Sequence, residues 1–318
     1  MHLVVPFASA LSPAAGQAVS TLSLPALERL LGRLSPVAED RGDEMSLSTP
    51  HERAIAAALG WPVTDGLLPL AARQARLDGL APQPGEGWGL LTPTHWHLGT
   101  EQVSLTHPDE LDLDEDEARA LFEAVRPLFE DDSQGWRLHW GSPQRWYAVH
   151  PSLAELPSAS ADRVIGRNVD WWLNSHPLAR PLRRLQAEVQ MLLHTHPLNE
   201  ARAARGLLPV NSFWLSGTGA AAATPDPEPF VLDERLRAPA LTEDWTAWAE
   251  AWAALDAGPV ADLLRQAESG SPVQLTLCGE SNALGFHAAP RSLVQRFQGL
   301  FRPMRWWNID RKSTRLNS

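Results

Sequence analysis

Lysine is all but absent from this sequence. Of 27 basic residues only Lys312 is a lysine, and it lies in the closing run Arg311-Lys312-Ser313-Thr314-Arg315-Leu316-Asn317-Ser318. A chain that uses arginine everywhere else carries there the mark of a foreign end, so 311–318 is expected to be a non-native tail of vector or adaptor origin. Cysteine is as scarce: Cys278 stands alone, so no intramolecular disulfide can form, which fits a reducing compartment. Positive charge is in deficit, with 27 basic against 38 acidic residues and a formal net charge of −11. A net negative field repels a phosphate backbone, so nucleic acid is not an expected partner. Long apolar runs are missing too: no stretch of about 18 apolar residues occurs, and no membrane span is expected. The opening MHLVVPFASALS has no Lys or Arg before an apolar run shorter than a secretory core, so a cytoplasmic location is expected.

What is present suffices for a folded core. The chain has 318 residues, 44% of them hydrophobic, which suits one α/β core with a smaller inserted or appended unit. Leu3 to Phe7 reads as a short buried strand. Leu24 to Leu34 repeats leucine at helical spacing behind Pro25. Pro50 to Leu59 predicts a helix capped by Thr49 and stopped at Gly60, and Pro69 to Asp78 predicts another. Gly87 to Leu91 reads as a strand. Texture changes near Glu101: a strand at Gln102 to Thr106, an amphipathic helix over Leu111 to Phe129 whose carboxylates Asp112, Asp114, Glu115 and Asp116 suit its N-terminal end, and two alternating strands, Trp136 to Trp140 and Trp146 to His150, about a turn at Gly141-Ser142-Pro143. Helices follow at Leu182 to His194, Trp245 to Leu255 and Leu293 to Phe301, and strands at Asn211 to Leu215 and Val273 to Cys278. Alternation of helices with short apolar strands predicts a mostly parallel sheet with helices on both faces. The expected division is a core of 1–100 and 161–310 with a small α+β subdomain over 101–160.

One long run carries a resemblance. His196-Pro197-Leu198-Asn199-Glu200-Ala201-Arg202, then Arg205-Gly206, then Pro209-Val210-Asn211-Ser212-Phe213-Trp214-Leu215-Ser216-Gly217-Thr218-Gly219 resembles the HPxN…R…G…PAN-x-x-x-L-x-G-x-G run of archaeal-type cofactor-independent phosphoglycerate mutases. Leu59-Gly60-Trp61-Pro62, Gly66 to Ala72, and Asp162 to Arg167 are similar, in the same order, to that family's LGYDP, GRGPLEA and DxxxGK steps. The resemblance implies an alkaline-phosphatase-like fold. Within that superfamily the chain looks most similar to bacterial regulatory proteins of the RpfE type.

The same resemblance implies a site of two divalent metals, Mn or Zn, held by carboxylates and imidazoles beside a Ser or Thr nucleophile. Several of those positions are altered here. The first ligand, an Asp at the end of strand one, is replaced by Phe7, and a phenyl ring ligates no metal. His51 stands where the nucleophile is expected, with Ser48 and Thr49 close by. Glu280 is the replacement for the late Asp, with no His directly after it. These substitutions predict no retained metal cofactor and a degenerate, regulatory or ligand-sensing protein. An active mutase or phosphatase with a rearranged Mn or Zn site is the alternative, and a protein-interaction module using the acidic run and exposed tryptophans is the second. The polar set in the best-matched segments, Arg167, Asn168, Asn199, Arg202, Arg205 and Asn211, suits a phosphorylated or carboxylate small molecule, or ties the long helix to the core strand. His95 and His97 alternate at a strand end and could share a metal, although surface histidines are the commoner meaning of such a pair. No G-x-S-x-G elbow or dinucleotide fingerprint occurs. The 14 tryptophans, including the doublets Trp171-Trp172 and Trp306-Trp307, favour packing over ligand binding.

Overall fold

A computed structural model describes residues 1–100, 102–130, 135–173, 176–224, 227–288 and 309–310. The chain forms two compact units, one from the described residues of Met1–Met45, Thr49–Gly60 and Pro225–Ser318, the other from those of Ser46–Ser48 and Trp61–Thr224. In chain order the first unit begins with strand β1 (His2–Val5), helices α1 (Pro13–Thr21) and α2 (Pro25–Leu31), strand β2 (Ser35–Arg41) and helix α3 (Pro50–Ala58). The second unit follows with α4 (Leu70–Leu77), β3 (Gly87–Thr94), β4 (Trp96–Leu98), β5 (Val103–Leu105), α5 (Glu115–Glu130), β6 (Arg137–Ser142), β7 (Arg145–Val149), α6 (Ala161–Val164), α7 (Ala179–His194), α8 (Pro197–Ala204) and β8 (Ser212–Ala220). The chain returns to the first unit with β9 (Val231–Leu232), α9 (Arg237–Leu241), α10 (Trp245–Leu255), α11 (Ala261–Glu268), β10 (Gln274–Cys278) and β11 (Asn282–His287). The expected helix at Leu293 to Phe301, the doublet Trp306-Trp307 and the expected tail 311–318 lie outside the described residues.

The first unit carries a five-stranded sheet in the order β2-β11-β10-β1-β9. β1 pairs in parallel with β10 and β9, whereas β10–β11 and β11–β2 are antiparallel. The mixed α/β character matches the expectation; the mostly parallel sheet does not. β10 turns straight back into β11 through Gly279-Glu280-Ser281, and a connection that short permits only an antiparallel neighbour. Leu3 and Val5 of β1, Leu275 and Leu277 of β10, Leu27 and Leu30 of α2, and Trp248 and Trp252 of α10 are buried in one cluster. Asp256, almost fully buried, accepts from the backbone N–H groups of Ala26 (3.1 Å) and Leu27 (2.7 Å). It thereby caps α2, whose first turn supplies no side-chain cap of its own.

The second unit is built on an antiparallel sheet in the order β6-β7-β3-β8. Its core joins Leu121, Phe122 and Val125 of α5, Trp146 of β7, Val189 of α7 and Phe213 of β8. The expected boundaries at 100/101 and 160/161 both fall inside this unit, because β3 lies between β7, from within the expected insert, and β8, from outside it. The last two glycines of the best-matched run do not end the strand, as expected, but continue it. A Cβ at Gly217 or Gly219 would press on the backbone of Ala71 or Pro69 at 2.9 and 3.0 Å, and Gly217 has φ of +63°. Only glycine lets α4 pack this near to β8.

Candidate functional site

In open α/β sheets the carboxyl ends of parallel strands are where ligands are most often held. The corresponding place in the first unit is the end of β1 beside the end of β10. Here Ala8 N–H donates to the Cys278 carbonyl at 2.7 Å, and Trp248 Nε1 donates to the Phe7 carbonyl at 3.0 Å. Phe7 has φ of +55°, a left-handed conformation that Gly, Asn and Asp tolerate and that a bulky side chain occupies under strain. Its ring lies 5.5 Å from the His51 ring, tilted by 43°. The residue that replaces the expected first metal ligand therefore packs on the residue that replaces the expected nucleophile.

His51 reaches that place because α3 begins where it does. Pro50 occupies the first turn, and Thr49 and Glu52 form a reciprocal capping box: Glu52 N–H donates to Thr49 Oγ1 (3.4 Å) and Thr49 N–H donates to Glu52 Oε2 (2.8 Å). The buried His51 ring places Nε2 3.1 Å from Thr49 Oγ1. Arg53, on the same helix and also buried, donates through Nε to Asp40 (2.7 Å) and through a terminal nitrogen to the Ser281 carbonyl (2.8 Å). Burial, reinforced by the Asp40 carboxylate, pushes the Cys278 thiol far up, so it stays protonated and unreactive at neutral pH.

Glu280 Oε1 accepts from Leu11 N–H at 3.0 Å. Asp310, which sequence reasoning missed, accepts from the backbone N–H groups of Glu280, Ser281 and Asn282 at 2.9, 2.9 and 3.0 Å and from Ser9 Oγ at 2.8 Å. No local sequence signal points to Asp310, because its partners lie 28 to 30 and 301 residues away. Glu280 and Asp310 at the strand ends thus each have protein donors, and the Phe7 ring lies against His51 of α3. No three His, Cys, Asp or Glu side chains among the described residues stand close enough to hold a metal ion. This donor set does not fit a binuclear Mn or Zn centre.

Ser48 belongs to the second unit. It is buried, its Oγ accepts from Gly66 N–H (2.8 Å), and its own N–H donates to Asp65 (2.8 Å). His95 and His97 have ring centroids 6.4 Å apart, and His95 Nδ1 lies 2.8 Å from the Pro209 carbonyl. No third ligand stands with them among the described residues.

The six expected ligand residues are also in the second unit, dispersed among different tasks. Asn199 Nδ2 donates to the carbonyls of Leu193 (2.8 Å) and Val210 (2.7 Å), and its Oδ1 accepts from Val210 N–H (3.0 Å). Arg202 is fully buried and binds the Leu208 carbonyl through Nε at 3.0 Å, with Glu117 and the Leu111 carbonyl on its terminal nitrogens. Glu117 also takes Arg205, so part of the acidic run faces inward. Asn211 clasps the backbone of Trp96, accepting from its N–H (2.7 Å) and donating to its carbonyl (3.0 Å). Asn168 Oδ1 accepts from Asp170 N–H (3.0 Å). Arg167 is exposed. Asn199, Arg202 and Asn211 thus make hydrogen bonds to the surrounding scaffold.

A separate polar cluster went unnoticed in the sequence. Arg145 grips Asp78 with two hydrogen bonds (2.8 and 2.9 Å), and Tyr147 Oη donates to the same carboxylate at 2.5 Å. Burial raises the Asp78 carboxyl, but the bonds from Arg145 and Tyr147 outweigh it and leave the group below its ordinary range. Burial and the neighbouring Asp78 push the Tyr147 hydroxyl well up.

No protein-family model matches the chain, and no curated protein matches it significantly. Among solved structures it is similar to a cofactor-independent phosphoglycerate mutase from Thermoplasma acidophilum DSM 1728, at 12% identity and TM-score 0.39 over 97% of each chain. It is also similar to the PH0037 protein from Pyrococcus horikoshii, at 11% identity and TM-score 0.48 over 91% of this chain and 87% of that one. Neither carries the regulatory-group name that the sequence resemblance suggests.

Proposed function

We propose that this chain is a phosphoglycerate mutase-like protein that binds a phosphorylated or carboxylate small molecule in a regulatory role, without binuclear-metal phosphoryl transfer. One observation carries the reading: Phe7, held in a left-handed conformation at the end of β1, packs its ring on His51, where the resemblance implies a metal ligand facing a nucleophile. An aromatic contact supplies neither a hard ligand nor an activated hydroxyl. The exposed guanidinium of Arg167 is the ligand contact the polar set leaves open, since arginine suits carboxylate and phosphate. The RpfE-type resemblance supports the regulatory side of the reading.

Elemental analysis of the purified full-length chain after equilibration with Mn and Zn tests it. Substoichiometric metal is expected. Stoichiometric Mn or Zn that is lost in His51→Ala would instead favour the rearranged, active mutase or phosphatase. For the ligand, 3-phosphoglycerate is expected to raise the melting temperature of the wild-type chain and not of Arg167→Ala; an equal rise in both would remove Arg167 from the site.

A further inference from the structure

Three consecutive backbone N–H groups, those of Glu280, Ser281 and Asn282, converge with the Ser9 hydroxyl on one carboxylate, Asp310, at 2.8 to 3.0 Å. Successive N–H groups that curl around one point form an anion-binding concavity, and hydrogen bonds to a charged acceptor are the strong ones. The concavity sits at the turn after β10, beside the loop after β1, at the carboxyl ends of two parallel strands. Gly279 leaves room for the anion: a Cβ there would overlap both the Asp310 carboxylate and Ser9 Oγ. The occupant comes from far along the chain and is anchored by one further bond, Asn282 Nδ2 to the Ile309 carbonyl at 3.2 Å. A cavity of about 490 Å³ reaches Asp310 and Asn282, with Arg41 and the carboxylates Glu39, Asp43 and Glu44 on its other walls. Those carboxylates oppose a large polyanion, so the cavity, which reaches Ser281, Asn282 and Asp310, suits a small one.

We propose that Ser9 and the Gly279–Asn282 turn form a binding site for a small oxyanion, carboxylate or inorganic phosphate, and that Asp310 is a built-in competitor occupying it. The site does not depend on the function proposed above, since it uses neither His51 nor a metal. A tethered carboxylate acts at high effective concentration, so the intact chain binds free anion weakly and displacement of Asp310 opens the site.

The test is titration of the full-length chain with sodium phosphate, and separately with sodium acetate, followed by the amide resonances of Glu280, Ser281 and Asn282. In Asp310→Ala, saturable shifts confined to these amides are expected, with affinity at least about tenfold above wild type, the tether having been removed. Adding Ser9→Ala in that background should weaken binding again. A response to phosphate alone or acetate alone supports the site and identifies which anion it prefers. A folded Asp310→Ala chain whose three amides respond to neither anion, or a wild-type chain that binds as tightly as the variant, overturns the proposal. If Asp310→Ala does not fold, Asp310→Asn decides in its place, because it removes the competing charge and keeps an acceptor oxygen: tighter anion binding than wild type supports the site, and unchanged binding overturns it.

Discussion

The two units treat their polar residues in opposite ways. In the second, Asn199, Arg202 and Asn211 bind main chain or a buried carboxylate, and their hydrogen bonds join α8 to α7, α5 and the segment before β8, and that segment to β4. In the first, the polar groups gather at the ends of two parallel strands, and one carboxylate there, Asp310, is held by four donors from distant parts of the chain. The sequence resembles the mutase family best in the unit where the shared residues hold the scaffold, and departs from it at the strand ends where chemistry would be done. A matched motif can therefore report shared architecture while saying little about shared activity.

Removing the scaffold residues should produce the largest effects. Arg202→Met would leave Glu117 and two carbonyls without their buried partner, and a loss of about 3–5 kcal/mol is expected in urea denaturation. A loss below about 1 kcal/mol would mean that this buried pair is replaceable and would blur the contrast between the units. Asn199→Ala removes three bonds to main chain and should cost about 2–3 kcal/mol by the same measurement. Thr49→Ala breaks the capping box of α3 and should cost about 1 kcal/mol, and it removes the hydroxyl beside His51 Nε2, which NMR would register as a changed imidazole shift.

A smaller effect is expected at Asp78. Its folded-state carboxyl lies below the ordinary range, so its contribution is fully present above the unfolded value, about pH 4, and is lost as pH falls through the folded value. Asp78→Asn should be less stable than wild type at neutral pH, and the gap should close under acid. A gap that stays constant down to acid pH would show that the Arg145 and Tyr147 bonds do not depend on the charge.

Much of the architecture was legible because its signals are local. Thr49, Pro50 and Gly60 announce α3, and the alternation around Gly141-Ser142-Pro143 announces the β6–β7 hairpin. Strand β2 was missed because its sequence SPVAEDR is polar and mostly exposed, an edge strand defined by its pairing with β11. The antiparallel half of the first sheet was missed because β11, NALGFH, buries only Ala283 and Phe286 and shows no alternation, so its partners, not its composition, make it a strand. At the candidate site, the residues that had changed, Phe7 and His51, could be read from the sequence by resemblance. Their contact could not, because it depends on the direction in which β1 delivers Phe7. Asp310 was invisible because backbone donors carry no side-chain signature.

Under the proposed function, the strand ends of the first unit do not run metal-dependent phosphoryl transfer. It is tested most directly by assaying the purified full-length chain for Mn-dependent conversion of 3-phosphoglycerate to 2-phosphoglycerate. No turnover above a no-protein control is expected, with or without added Mn. Turnover that requires Mn and disappears in His51→Ala or Glu280→Ala would contradict it.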